Sequence, residues 1–105
     1  MEDLVKLIKE MDIPFAYDHF AEGESPEPPF ICYLLPKDDN FAADGIAYYK
    51  VDRVRIELYT DFKDPESESK VTAVLERHGI FYARSEVWIE TEKLYEVAFE
   101  FEIPN

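Results

Sequence analysis

From Tyr95 to Ile103 the chain alternates without interruption: Tyr95, Val97, Phe99, Phe101 and Ile103 on one parity, Glu96, Ala98, Glu100 and Glu102 on the other. Successive side chains of a strand point to opposite faces. Such a strand has one face in a core and one face towards water or a partner, and a slip of one residue would invert both. A parallel sheet wrapped in helices has strands that are apolar on both sides, so this segment belongs to a sheet covered on one face only. Each large apolar side chain buried there contributes roughly 1.5–3 kcal/mol before the entropy of ordering it. The segment is therefore expected to anchor the core, with Phe99 and Phe101 buried.

The rest of the chain supplies the cover. Leu4, Leu7, Ile8 and Met11 recur at helical spacing in residues 2–11, with Glu2 and Asp3 where a helix start favours negative charge, and Pro14 ends the segment. Residues 64–79 read as a second helix. Asp64 is placed to cap it, Pro65 suits its first position, and Glu66 and Glu68 fall in its first turn. Its apolar stripe reads as Val71, Val74, Leu75 and His78, and Gly79 suits the left-handed residue that closes a helix. Strands are expected over 14–20, 30–36, 80–90 and 93–103. "FICYLLP" is apolar throughout and reads as a central strand. Residues 21–29 and 37–45 are polar or proline-rich and read as loops.

The longest strand, over 46–62, contains "YYKVDRVRIELYTD", in which the apolar parity changes near Asp52. A bulge inserts one residue and reverses the parity beyond it, so a bulge or sharp twist is expected at 51–53, the alternative being two short strands joined by a kink. Past it Val54, Ile56 and Leu58 face the core while Arg53, Arg55, Glu57 and Tyr59 face out. The order is α-β-β-β-α-β-β: an α+β fold, a largely antiparallel sheet with two helices on one face, in a single domain spanning 1–105.

Charge narrows the function. The chain of 105 residues carries 24 acidic and 11 basic residues, a formal charge of -13. Phosphate backbones are repelled by such a surface. A content of seven Tyr and eight Phe separates the chain from the aromatic-poor disordered class. The single Cys32 excludes an internal disulfide, and no apolar run is long enough for a membrane span, so a soluble, intracellular protein is expected. No nucleophile elbow or Gly-rich phosphate loop is present. Cys32 lies in an apolar run and reads as a buried thiol. His78 reads as packing beside a helix end. His19 with Asp18, Glu22 and Glu24 has the oxygen-rich look of a cation loop but matches no ligand spacing. No catalytic residue, cofactor or metal is expected.

What remains is aromatic and acidic. Phe41 stands between Asp38, Asp39 and small residues, either folding back on the domain or anchoring a partner. Tyr48 and Tyr49 begin the long strand and are, like Phe41, candidate partner anchors. Glu96, Glu100 and Glu102 form a carboxylate row.

The stretches "HF-x-EG-x-x-P-x-PP", "D-N-F-x-AD", "ELYTD-x-KDP" and "ERHGI" before the final hairpin, together covering almost the whole chain, resemble small tail-component proteins of long-tailed phages (siphophages) and prophages of Gram-positive bacteria. The family is similar to tail-terminator or tail-completion proteins. The resemblance implies an α+β sheet with helices on one side and a structural role in head–tail joining and virion assembly. It implies a hexameric ring on the tail tube, contacted by the tail tube protein and a head-completion or connector protein. It places the protein in the host cytoplasm during assembly and then at the head–tail interface of the virion. It carries over no catalytic residue. In such a ring the acidic row, Glu96, Glu100 and Glu102, would repel DNA passing through the channel, and the end of the long strand at Tyr48, Tyr49 and Val51 would pair or pack with a neighbouring subunit. Two other readings are an acidic DNA-mimic inhibitor or other prophage-encoded binding protein, and a small enzyme with an unfamiliar site. A mimic would space its acids over long helices, whereas here the regular acids lie on one strand.

Overall fold

In a computed structural model, the described residues are 2–21, 23–36 and 51–104, with positions 2, 51 and 104 entering as backbone only. The elements are α1 (Glu2–Lys9), β1 (Phe15–Tyr17), β2 (Phe30–Leu34), β3 (Val51–Thr60), α2 (Pro65–Arg77), β4 (Tyr82–Ile89) and β5 (Leu94–Pro104). The five strands form one sheet in the order β1-β2-β3-β5-β4, in which only β1 and β2 run parallel. The fold is α+β in the expected element order.

The alternation in β5 sorts as expected. Val97, Phe99 and Phe101 are buried, and Tyr95 and Ile103 are half-buried at the two ends. Across from them Leu58, Ile56 and Val54 of β3 are equally buried, pairing Val97, Phe99 and Phe101 in turn. Both helices close over this one face: Leu4, Leu7, Ile8 and Met11 of the first, Val71, Val74 and Leu75 of the second, join the strands in one cluster. Tyr82 lays its ring edge-on against Phe99 at 5.8 Å. β2 is buried on both sides from Phe30 to Tyr33, as its unbroken apolar run predicts.

Local chemistry explains the ends of α2. Asp64 accepts the Ser67 backbone N–H (3.2 Å) and the Ser67 hydroxyl (2.8 Å), and Pro65 opens the helix. At the other end Gly79 adopts φ +70°, which only glycine takes without steric cost. Its N–H reaches the Glu76 carbonyl at 3.0 Å, and the Ile80 N–H reaches that of Leu75 at 2.9 Å. This pair of bonds is the Schellman closure.

Two expectations are corrected. No bulge interrupts residues 51–53: the β3–β5 register runs unbroken from Val51 opposite Pro104 to Thr60 opposite Tyr95. Asp52 keeps the parity of Val54 and stands opposite Ile103, at the end of the sheet where burial fades. The parity change in the sequence is thus a polar residue at a frayed core position, and the expected strand at 46–50 lies outside the described residues. His78 is not part of the α2 stripe. It caps the helix, with its ring exposed and bonded to Glu10 (3.0 Å), because the chain turns out of the helix one residue earlier than the stripe suggests.

Candidate functional site: the charged face of the sheet

The face of the sheet away from the helices is built by the other parity of the same strands. Register sets Arg55 opposite Glu100, Glu57 opposite Ala98, and Tyr59 opposite Glu96. Opposed residues and their diagonal neighbours lie within side-chain reach. Arg55 therefore becomes a hub. Its Nε donates to Glu57 Oε2 at 2.7 Å and one terminal nitrogen to Glu100 Oε2 at 2.7 Å, while the other lies 3.9 Å from Glu96 Oε1. The Tyr59 hydroxyl lies 2.8 Å from Glu57 Oε1 and 2.9 Å from Glu96 Oε2, so its single proton serves two carboxylates. Ala98, the short residue between Glu96 and Glu100, is buried beneath this network.

The electrostatics follow from that geometry. The Glu57 carboxylate, then Glu100, holds the Arg55 guanidinium charged far above its ordinary range. Burial, and then the bonds to Glu57 and Glu96, pushes the Tyr59 phenol well above its usual value, so it remains a neutral donor. One guanidinium meets three carboxylates here, which leaves the patch negative. Glu102 extends the row on an exposed position opposite Arg53.

The β2 side of this face is covered. Phe30 stacks on Tyr59 with centroids 5.2 Å apart, and Phe20 from the loop between β1 and β2 packs edge-on against Phe30 at 5.5 Å. Cys32 lies beneath, and burial, with Glu57 second, pushes its thiol up to about 11. A thiol kept protonated near neutral pH is a poor nucleophile. The His19 ring pairs with its neighbour Asp18 at 3.1 Å on the surface, and Glu22 lies outside the described residues.

A second charged cluster sits on the helix side at the β4 edge. Lys63 bridges Glu68 (3.0 Å) and Glu86 (2.9 Å), Arg84 binds Glu86 (2.9 Å) and Glu68, and the Tyr95 hydroxyl donates to Glu86. The Tyr95 bond, then the Lys63 bond, lowers the Glu86 carboxyl to about 2. A cleft of about 890 Å³ opens where β3 begins and β5 ends, lined by Arg53, His78, Phe81, Phe101, Glu100 and Glu102 among others. Its described lining includes no serine, threonine or cysteine that could act as a nucleophile.

Of the residues singled out from sequence, Glu96, Glu100 and Glu102 share one face, but two of them are engaged by Arg55 and Tyr59 rather than standing free. Val51 opens β3 opposite Pro104. Phe41, Asp38, Asp39, Tyr48 and Tyr49 lie outside the described residues. Sequence reading faced Arg55, Glu57 and Tyr59 outward but missed their hub role. The signal is the cross-strand register, which no local pattern contains. Among the described residues no helix is long and apolar enough to cross a membrane. Comparison with family models, curated proteins and solved structures finds no match.

Proposed function

We propose that the protein is a structural component of a phage or prophage head–tail joint, a tail-terminator or tail-completion protein that assembles as a ring on the tail tube. Its partners in this reading are other copies of itself, the tail tube protein and a head-completion or connector protein. The observation that carries the reading is the second face of the sheet. Among the described residues no helix covers its β3–β5 part, and Glu57, Glu96, Glu100 and Glu102 outnumber Arg53 and Arg55 on it, which leaves it net negative. Turned towards a channel, such a face repels phosphate and keeps DNA from adhering in transit. The network also holds Glu57, Glu96 and Glu100 in fixed positions, which suits a wall better than flexible side chains would. The sequence resemblance supplies the place, and Phe41, Tyr48 and Tyr49 supply candidate contacts to neighbours.

The test is genetic. Deleting the gene in its replicon and inducing particle production should leave filled heads and tails separate, or tails of irregular length, in electron micrographs. Intact, infectious particles would contradict the proposal.

A further inference from the structure

The two edges of the sheet differ. β1 is a three-residue strand preceded by Pro14 and offers little to pair with. β4 has eight residues, no proline, and six exposed positions, and among the described residues its outer edge pairs with no strand. A long unpaired edge is a template for another strand. Val87 and Trp88 are about half exposed on it, and Phe81 just before it is 94% exposed.

We propose that the β4 edge binds a second copy of this chain, antiparallel β4 to β4 about a two-fold axis through Ser85. The charges select both the partner and the register. A two-fold axis perpendicular to the sheet keeps each side chain on its own face. Only two such registers pair as many as seven of the eight residues of β4, one centred on Ser85 and one on Glu86. Centring on Glu86 sets that carboxylate against its own copy, and like charges directly opposed are destabilising. Centring on Ser85 sets Arg84 against Glu86 of the second copy, twice over. Both belong to the same face, since they lie opposite Phe99 and Val97 of β5. Tyr82 then meets Trp88 on that face, and Ala83 meets the exposed Val87 on the other.

Charged residues in mid-edge ordinarily prevent pairing. Here the pair of opposite sign, two residues apart, rejects most strands and matches its own reverse. Within one chain Arg84 binds Glu68 and Glu86, and Lys63 binds Glu86, which holds both side chains in place at the edge; across the axis each gains a further partner of opposite charge. The net charge of -13 on each chain opposes association at long range. Physiological salt, with a screening length of about 8 Å, removes most of that and leaves the contact pairs. The contact is independent of the ring reading, which uses other residues, and its test needs no tail tubes.

Sedimentation equilibrium at physiological salt should find the wild type in monomer–dimer exchange. Arg84→Glu and Glu86→Arg, each shown by circular dichroism to be folded, should each sediment as monomers. Their mixture should form dimers, because each then presents the complement of the other. A wild type that stays monomeric, a larger closed ring of the isolated protein, or a mixture that stays monomeric overturns the inference. Should either variant fail to fold, Ser85→Cys decides. With Cys32 buried and protonated, diamide should link two copies through position 85, and a dimer that resists this linkage would overturn the register.

Discussion

The two faces of the β3–β5 pair are made by alternate residues of the same two strands, yet they hold together by different physics. On the helix side, Val54, Ile56, Leu58, Val97 and Phe99 are almost completely inaccessible and act by area. On the other side, Arg55, Glu57, Tyr59, Glu96 and Glu100 act by direction, through bonds of 2.7–2.9 Å that require one register. An apolar face needs no directed bonds and follows from the parity of the sequence alone. A charged network needs them, and leaves a surface that is ordered without being sticky.

The sharpest way to break the comparison is at its apolar side. Phe99→Ala removes a fully buried ring packed against Tyr82 and should cost roughly 3–5 kcal/mol in chemical denaturation. That is a large share of the ~5–15 kcal/mol typical of a domain. A loss below about 1 kcal/mol would mean that the faces of β5 are reversed.

The charged side should yield less. Arg55→Met keeps the aliphatic stem but leaves Glu57 and Glu96, whose side chains are 16% and 14% exposed, facing each other unneutralised. With the hub still partly solvated, the expected loss is about 1–3 kcal/mol. A neutral or stabilising result would show that the network is surface ornament and contributes nothing to order.

That difference in physics also explains what could be read in advance. The alternation in β5 and the caps of α2 are local signals, and Asp64, Pro65 and Gly79 stand where they were expected. The two-sided burial of β2 follows from its apolar run. The Arg55–Glu100 pairing joins residues 45 apart in sequence and exists only in one register, so no local pattern contains it. At 51–53 the local pattern misled. Asp52 sits on the core parity at a sheet end, where a polar residue costs little, and it mimics the signature of a bulge. β4 was recognisable as a strand, but its exposure depends on how far the helices reach across the sheet. Arg84 and Glu86 lie on the helix side and meet Glu68 and Lys63 instead of apolar cover.

Acid should act on the cluster at β4 with a predictable sign. Glu86 is held near 2 by Tyr95 and Lys63, below its ordinary 4.5, and Glu10 is lowered by Arg77 and His78. A depressed carboxyl stabilises the fold fully above its unfolded value and loses that contribution as pH falls through its folded value. The denaturation midpoint should therefore decline between pH 4.5 and about 2, and Glu86→Gln should make that decline shallower. An unchanged slope in the variant would show that Glu86 is not held by these partners.

The smallest effect on stability should accompany the largest effect on function. Glu96→Gln, Glu100→Gln and Glu102→Gln together keep side-chain volume and acceptor oxygens for Tyr59 and Arg55, so folding should change by about 1 kcal/mol or less. The central claim is that one face of this sheet folds the protein while the other serves the channel of an assembled ring. The direct measurement is DNA ejection from particles carrying the triple variant, followed at two ionic strengths. The account predicts slow or incomplete ejection that is worst at low salt, where attraction of phosphate to the remaining cations is least screened. Normal ejection at both salt concentrations would contradict it.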